Sequence, residues 1–366
     1  YKLLYNSVDS VGNTEEIHET EFIVDITSPK TKHVISGSYY GNTFSSRTIV
    51  TLSTSDNLCG TKNVFYHFDE EDQRSYNKPL SSTSFQNLSE GSHTLSYHSV
   101  DNVGNIEKTK SLTFILDHSP PGVVYTLLGD KSENNNLKFV HRNVRIRLTA
   151  SEQETGVQSI NYQINGGKSV AYTSAFQLPE TGSKHTISFS STDLSGNTSN
   201  RQTEVLYLDL APPETRFRLD GVVFQSPNQL YVNSETQLVL SSIDKESGVR
   251  QIQHRFDNGK PVKYSNPLQI ARDGLHEIEY WATDRVKNRE EISSFELFVD
   301  NKPPDIDITY SGGAKTGKNG EIVLSEDDMI YISTNDDFTG VERVVYKIND
   351  GKEKLYRKPL TNFRAR

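Results

Sequence analysis

The chain has 366 residues, of which 33% are hydrophobic and 10% aromatic, and it carries a net charge of −9. This acidic balance without a lysine or arginine cluster weighs against a nucleic-acid-binding protein. The single cysteine, Cys59, excludes an internal disulfide and a cysteine-rich zinc site. No apolar run approaches the roughly 18–20 residues of a membrane-spanning helix.

One short phrase recurs along the chain with a period of about 92 residues. Its copies follow the pattern Asp-x-x-Gly-Asn and begin at Asp9, Asp101, Asp193 and Asp284. In the fourth copy Lys287 replaces the glycine, which questions whether this position needs a positive φ. The period is too long for a helical solenoid repeat and is typical of one small β-sandwich.

Proline-bearing joints follow each phrase and divide the chain into repeats, because proline stops a strand and stiffens a connection. We predict three complete repeats and a partial repeat at each end. The predicted segments are 1–27 (last strands of a preceding repeat), 28–119, 120–211 and 212–302 (complete repeats), and 303–366 (first part of a further repeat). We therefore expect the sequence to be a piece of a longer tandem array.

Apolar residues within each repeat alternate with polar ones, which predicts strands with one buried face. The clearest alternating triplet, in chain order, is Val64/Tyr66/Phe68, Ile160/Tyr162/Ile164, Ile252/His254/Phe256 and Val344/Tyr346/Ile348. No segment has a helical apolar period over ten residues. About seven short strands per repeat predict an all-β fold, a tandem array of immunoglobulin-like or fibronectin-III-like β-sandwiches.

The combined motifs cover essentially the whole chain. They are acid-x-x-x-Gly-Val-x-x-Ile-x-Tyr-x-Ile-Asn-Gly, Tyr-x-x-Pro-Leu, Gly-x-His-x-Ile and Asp-x-x-Gly-Asn. This order resembles the bacterial Ig-like tandem repeats of large surface or envelope proteins, most closely the type named after a spirochaete outer-membrane protein. The resemblance implies an exported protein at the bacterial cell surface, associated with the outer membrane or in the periplasm.

The resemblance also implies a non-enzymatic, elongated stalk or adhesive scaffold that binds protein or glycan partners. Two alternatives stay open: accessory modules of a larger secreted carbohydrate-active enzyme, and a structural subunit of an envelope secretion or motility assembly. No catalytic motif such as Gly-x-Ser-x-Gly or His-Glu-x-x-His is present in the sequence. We therefore expect no enzyme activity from this segment.

Recurring acids suggest a cation site at each joint. In a tandem Ig array the end of one G strand meets the B–C and F–G turns of the next repeat, which predicts three acids in proximity. The predicted sets are Asp25, Asp56 and Asp101; Asp117, Glu152 and Asp193; Asp209, Asp244 and Asp284; Asp300 and Asp336 would begin a fourth. Such oxygen-rich sets suit Ca²⁺. The alternative is that each acid only caps its own turn.

Two further groups of residues invite a functional interpretation. His93, His185 and His276 precede successive Asp-x-x-Gly-Asn phrases by eight residues. Because they belong to different repeats, they cannot form one site, and we predict a structural role. Trp281 follows Tyr280 on a predicted strand. If Tyr280 faces the core, alternation predicts an exposed Trp281 that could bind a sugar or protein.

Overall fold

The computed structural model describes residues 1–361 and 363, and in that part of the chain it contains 32 strands and one short helix. The prediction of an all-β fold is confirmed. The chain divides into two compact units. The first unit is Tyr1–Gly129 with Asn143–Leu208, and the second is Asp130–Arg142 with Asp209 onward. We keep the predicted ranges 28–119, 120–211 and 212–302 as names for the repeats.

The first unit begins with an antiparallel hairpin and continues with the elements of the first repeat. These are β1 (Lys2–Tyr5), β2 (His18–Glu21), β3 (Lys30–Tyr40), β4 (Thr43–Ser55), β5 (Thr61–Phe68), β6 (Arg74–Ser75), α1 (Ser82–Phe85), β7 (Gly91–Asp101) and β8 (Lys110–Leu116). Strands β3 to β8 form one sheet in the order β3-β4-β8-β7-β5-β6. Every second residue of β7 is buried, which is the alternation expected of a strand that lies over a core.

The core of this repeat is rich in phenylalanine. Phe44, Phe68, Phe85 and Phe114 are fully buried and form one cluster. The Phe44 and Phe114 rings stack with centroids 4.5 Å apart, and Phe85 comes from α1, the short helix that covers this end of the sheet. The rings pack together with buried aliphatic residues such as Val50 and Leu95 in the same core.

The chain continues with nine strands. They are β9 (Gly122–Leu128), β10 (Lys131–Asn134), β11 (Leu137–His141), β12 (Arg145–Ser151), β13 (Val157–Ile164), β14 (Val170–Ala171), β15 (Phe176–Gln177), β16 (Lys184–Asp193) and β17 (Gln202–Asp209). The β10–β11 hairpin belongs to the second compact unit. In the first unit β15-β12-β9 form one sheet, and β17, β16, β13 and β14 pair in that order. Ring contacts such as Tyr125 with Phe189, 6.0 Å apart, join the two sheets into a sandwich.

The third repeat lies wholly in the second unit. Its strands are β18 (Glu214–Asp220), β19 (Val223–Gln225), β20 (Leu230–Val232), β21 (Gln237–Ile243), β22 (Val249–Phe256), β23 (Val262–Lys263), β24 (Leu268–Gln269), β25 (Gly274–Asp284) and β26 (Ser293–Val299). They form a three-stranded sheet, β18-β21-β24, and a six-stranded sheet, β19-β20-β26-β25-β22-β23. Phe217 of the first sheet stacks on Phe295 of the second at 3.9 Å.

The last strands form three short antiparallel pairs: β27 with β30, β28 with β29 and β31 with β32. Their bounds are β27 (Asp305–Tyr310), β28 (Lys315–Thr316), β29 (Ile322–Val323), β30 (Ile330–Asn335), β31 (Val345–Tyr346) and β32 (Lys354–Leu355). None of the helices within residues 1–361 and 363 is long and apolar enough to cross a membrane.

Candidate functional sites at the joints between repeats

Each Asp-x-x-Gly-Asn phrase forms a turn that its own aspartate caps. Asp101 Oδ1 accepts hydrogen bonds from the backbone N–H groups of Val103, Gly104 and Asn105 at 2.6–2.9 Å. Its Oδ2 accepts the Asn105 side-chain amide at 2.7 Å. Burial opposes ionisation, but these hydrogen bonds prevail and lower the pKa of Asp101. The Asn residue also donates to the Asp of its own phrase in the other three copies. Turn capping is therefore a role of all four aspartates.

The glycine position of the phrase has a positive φ in every copy. The values are 92° at Gly12, 101° at Gly104, 91° at Gly196 and 76° at Lys287. The fourth copy therefore needs a positive φ at this position although it has no glycine there. Lys287 adopts this left-handed conformation, which costs a residue with a side chain roughly 1–2 kcal/mol. Lys287 Nζ lies 2.7 Å from Asp130 Oδ1, an ion pair within the second unit.

The asparagine of the phrase also crosses the joint to the preceding strand end. Asn105 Nδ2 donates to the Asp25 carbonyl at 3.2 Å, Asn197 Nδ2 to the Asp117 carbonyl at 3.0 Å, and Asn288 Nδ2 to the Asp209 carbonyl at 3.1 Å. We call this contact the asparagine bridge. Sequence reasoning missed it because the asparagine was treated only as a turn residue, although its recurrence in all four phrases was a signal.

Joint 1, between the segment 1–27 and the repeat 28–119 in the first unit, differs from its prediction. Side-chain atoms of Asp25, Asp56 and Cys59 lie within 4.8 Å of one another, and this group does not include the predicted Asp101. Hydrogen bonds from Thr27 lower the pKa of Asp25 to about 2. Burial, followed by the contact with Asp25, raises the pKa of the Cys59 thiol to about 11. Cys59 is therefore a protonated thiol beside two acids.

Joint 2, also in the first unit, links Asp117 to Asp193 and to Glu152 through two hydroxyl groups, but the three predicted carboxylates do not all approach within 4.8 Å of one another. Ser195 Oγ lies 3.2 Å from Asp117 Oδ2 and 2.9 Å from Asp193 Oδ1. Thr155 Oγ1 lies 3.2 Å from Asp117 Oδ2 and 3.5 Å from Glu152 Oε2. Burial and then the charge of Asp193 raise the pKa of Asp117, which the Ser195 hydroxyl opposes. Protein hydroxyls thus occupy the space among these acids.

Joint 3, in the second unit, brings Asp209, Asp244 and Asp284 together as predicted, with carboxylate oxygens within 4.8 Å of one another. Asp209 and Asp284 have no exposed surface. Burial raises the pKa of Asp284, a shift that the Asn288 amide opposes and the charges of Asp209 and Asp244 add to. At this joint Val286 stands where joint 2 has Ser195, and Ser247 stands where joint 2 has Thr155.

A fourth acid at joint 3 was missed from the sequence. Burial raises the pKa of Glu246 to about 7, and the side chain of Asp209 and the charges of Asp209, Asp244 and Asp284 add to this shift. The missed signal was its place two residues after Asp244 inside the acid-x-x-x-Gly turn. Asp300, Asp336 and Thr339 begin a further joint, where Thr339 Oγ1 lies 3.1 Å from Asp300 Oδ2 and 3.2 Å from Asp336 Oδ1.

The prediction that Trp281 is an exposed binding platform is wrong. Alternation places Tyr280 in the core as expected, but Trp281 on the opposite face is only 3% exposed. The Arg289 guanidinium carbon lies 4.8 Å from the ring centroid, and Trp281 Nε1 donates to Gln253 Oε1 at 3.2 Å. Neighbouring side chains therefore cover both the ring and its polar group.

The three recurring histidines share one structural role. Each ring bridges a turn that contains a residue with positive φ and the loop before its own strand. The pairs of contacts are His93 with Asp69 Oδ2 (2.7 Å) and the Ser89 carbonyl (2.7 Å), His185 with Asn165 Nδ2 (3.2 Å) and the Gly182 carbonyl (3.1 Å), and His276 with Asp257 Oδ2 (2.8 Å) and the Arg272 carbonyl (2.7 Å). Both ring nitrogens are thus used in holding the end of the sandwich.

Residues 81–175 match the family model described as bacterial Ig-like domain (group 3). No curated protein matches the chain. Among solved structures, one from a study of host cell surface retention of a 1.5-MDa bacterial ice-binding adhesin shares 10% identity and a TM-score of 0.35, covering 76% of this chain and 100% of the other. Three N-terminal domains of the bacteriophage RB49 outer capsid protein Hoc share 11% identity and a TM-score of 0.34, covering 73% and 99%.

The fibronectin(III)-like modules of Clostridium thermocellum CbhA share 13% identity and a TM-score of 0.30, covering 48% of this chain and 94% of theirs. The family match spans about one repeat length and runs from the second half of the repeat 28–119 into the first half of the repeat 120–211. Together with the sheets described above, it confirms the resemblance seen in the motifs. Residues 81–175 thus match a bacterial Ig-like domain, and the all-β architecture of the chain is that of tandem Ig-like domains.

Proposed function

We propose that the chain is a non-enzymatic scaffold of a bacterial cell-surface or envelope protein. In this role its Ig-like repeats serve as a stalk or adhesive array and bind protein or glycan partners. The observation that carries the proposal is the asparagine bridge, which recurs with the same donor and the same acceptor carbonyl at three successive joints. A scaffold needs such contacts, because flexible joints would let its repeats move independently.

The setting of the asparagine bridge makes it effective. Asn197 and Asn288 are each only 8% exposed, so water competes poorly for their amide groups. Each amide also donates to the aspartate that caps its own turn, which fixes the direction of the side chain. A buried hydrogen bond of this kind contributes roughly 0.5–1.5 kcal/mol. Repeated at each joint, the contact restrains the connection without a large interface.

Sheet edges and loops are the surfaces that such a scaffold offers to partners. Strand β18 pairs only with β21 among the described strands, so its other edge is free. Along this edge Glu214, Arg216, Arg218 and Asp220 are charged and mostly exposed. Charged edge strands discourage unspecific pairing while leaving main-chain groups for a specific protein partner.

The scaffold role is tested by distances between spin labels on adjacent repeats. In a Cys59→Ser background, labels would be placed at the exposed residues Val34 and Val170, one in each repeat beside joint 2. Asn197→Ala should broaden the distance distribution, because it removes the bond to the Asp117 carbonyl. The matched control is Asn13→Ala, since Asn13 Nδ2 donates to Asp9 within its own turn. If the distance distribution is equally wide in the Asn197→Ala variant and in the chain that keeps Asn197, the joint is not fixed by this bond.

The adhesive part of the proposal needs a separate measurement. The intact chain would be applied to immobilised glycans and to extracellular-matrix proteins, and glycans would be recovered to check that they are uncleaved. Saturable binding without cleavage is the expected result. Cleavage of a bound glycan would contradict the non-enzymatic role, and absence of binding would reduce the function to that of a stalk.

A further inference from the structure

Joint 3 contains several closely spaced acids whose charges are not balanced by ion pairs with lysine or arginine. Asp209, Asp244 and Asp284 approach within 4.8 Å, and Glu246 follows Asp244 by two residues in the same turn. Among the residues that the structure describes, no lysine or arginine forms an ion pair with any of these four acids. Val286, fully buried, offers no hydroxyl where joint 2 has Ser195. The Asn288 amide donates to Asp209 and Asp284, but joint 3 lacks the hydroxyl that Ser195 supplies between the acids of joint 2.

The spacing of the carboxylates suits a single bound ion. Oxygen ligands of Ca²⁺ lie at about 2.3–2.6 Å from the metal, so ligands on opposite sides of one ion are about 5 Å apart. The three carboxylate oxygens at joint 3 are within 4.8 Å of one another. They can therefore surround one ion without a large movement of the turns that hold them.

A second observation is independent of the charges. Ser247 has no exposed surface, and its hydroxyl has no hydrogen-bond partner. Its backbone N–H donates to Asp209 Oδ2 at 3.1 Å. The equivalent hydroxyls of Thr155 and Thr339 lie 3.2 and 3.1 Å from the equivalent aspartates Asp117 and Asp300. In those two turns the hydroxyl at this position contacts an acid, whereas at joint 3 the buried Ser247 hydroxyl, next to a backbone N–H that contacts Asp209, has no partner.

We infer that joint 3 binds one divalent cation, Ca²⁺, through the carboxylates of Asp209, Asp244 and Asp284. Ser247 supplies a hydroxyl oxygen. The donors are all oxygen atoms, which selects a hard cation over zinc or copper. The acids come from a strand end and two separate turns, an irregular set that Ca²⁺ accepts more readily than Mg²⁺, which demands near-octahedral geometry.

The cation site is specific to joint 3. At joint 2 the hydroxyls of Thr155 and Ser195 already occupy the space among the acids, so that joint is expected to bind no Ca²⁺. The site also does not depend on the scaffold role, because the label distances across joint 2 and Ca²⁺ binding at joint 3 are separate measurements. Either can fail while the other succeeds.

Calorimetric titration of the intact, metal-free chain with CaCl₂ tests this inference. We expect one ion per chain, with a dissociation constant in the range of about 10⁻⁴–10⁻³ M typical of extracellular modules. Asp244→Asn should weaken binding by about tenfold or more. The asparagine oxygen can still accept the N–H groups of Glu246 and Gly248 that Asp244 Oδ1 accepts now. The turn should therefore survive, which circular dichroism would verify.

The matched control is Glu152→Gln, the equivalent substitution at joint 2, which should leave Ca²⁺ binding unchanged. Ser247→Ala should weaken binding while leaving the melting temperature in excess EDTA unchanged, because its hydroxyl has no protein partner to lose. Absence of binding, undiminished binding by the Asp244→Asn variant, or equal loss in the Glu152→Gln variant would overturn the site. Tighter binding of MgCl₂ than of CaCl₂ would overturn the assignment of the ion.

Discussion

Joint 2 and joint 3 use the same positions in the repeat for their acids and the same asparagine bridge, yet they differ at two side chains. At joint 2, Thr155 and Ser195 place hydroxyls within 3.5 Å of the acids. At joint 3 these positions hold Ser247, whose hydroxyl has no partner, and the apolar Val286. The turn framework is thus constant, while the groups among the acids vary.

The difference shows that one motif can serve two ends. The aspartates are required by their turns, because they accept backbone N–H groups at both joints. Their proximity to one another is a consequence of how strand end and turns meet. Residues that the turns do not require decide whether hydroxyl groups of the protein offset the repulsion between these carboxylates or whether a cation is needed to do so. If joint 3 binds Ca²⁺ as we infer, repeats with the same fold differ in the ion they bind.

The largest expected effect tests whether the repeats that carry the two joints can be compared separately. Tyr162 stacks on Phe176 with ring centroids 4.0 Å apart, and Tyr162→Ala should destabilise the repeat 120–211 by about 3 kcal/mol. Trp281, the only tryptophan, lies in the repeat 212–302. In chemical denaturation, circular dichroism should therefore show an early partial transition while the tryptophan fluorescence transition stays in place. A matching shift of both signals would show that the two repeats unfold together.

The next prediction converts joint 2 toward joint 3. Ser195→Val removes the hydroxyl between Asp117 and Asp193, both of which are fully buried. Asn197 and Thr155 remain as donors, but loss of a hydroxyl shared by two buried acids should still cost about 1–3 kcal/mol, measured by chemical denaturation followed by circular dichroism. Added CaCl₂ should recover part of this loss.

The reciprocal substitution, Val286→Ser, serves as the comparison. It places a hydroxyl among the acids of joint 3 and should reduce the stabilisation by Ca²⁺ of the transition seen in Trp281 fluorescence. If Ser195→Val is neutral in stability and Val286→Ser leaves the Ca²⁺ response intact, these two positions do not distinguish the joints.

The smallest expected effect concerns the turn of joint 3. Lys287 has φ of 76°, so Lys287→Gly should stabilise the repeat 212–302 by about 0.5–1 kcal/mol, because glycine adopts this conformation without steric cost. Lys287→Ala is the control, since it removes the ion pair with Asp130 but keeps a side chain at positive φ. In denaturation followed by Trp281 fluorescence, glycine should exceed alanine in stability. Equal values would mean that the left-handed conformation carries no cost here.

Much of the fold could be predicted because its signals are local. Alternation along strands such as β13 and the recurring turn phrases are short-range patterns, and they predicted the sandwich architecture and the turn-capping role of Asp101 and its equivalents. The meeting of Asp209, Asp244 and Asp284 also followed from the general topology of Ig-like repeats. These features depend on backbone geometry that all the repeats share.

What the sequence did not predict depends on contacts between distant residues. Trp281 was correctly placed on the face opposite Tyr280, but its cover comes from Arg289 and Gln253, which no periodicity identifies. In the sequence Glu246 looks like a solvated loop acid, because its proximity to Asp209 depends on a strand end that is distant along the chain. At joint 1, Cys59 stands in the group with Asp25 and Asp56 in place of the predicted Asp101, which the recurring acid pattern did not indicate.

The asparagine bridge also has a direction. At each of the three joints the carbonyl belongs to the earlier repeat and the amide to the later one. The asparagine of each later repeat therefore donates to a strand end that has already been synthesised. Through this hydrogen bond the earlier repeat needs nothing from the later one. Because a protein is synthesised from its amino terminus onward, the acceptor carbonyl of each repeat is in place before the asparagine of the next repeat is made. Order of synthesis and order of assembly then coincide, which limits mispairing among repeats that share the same motifs.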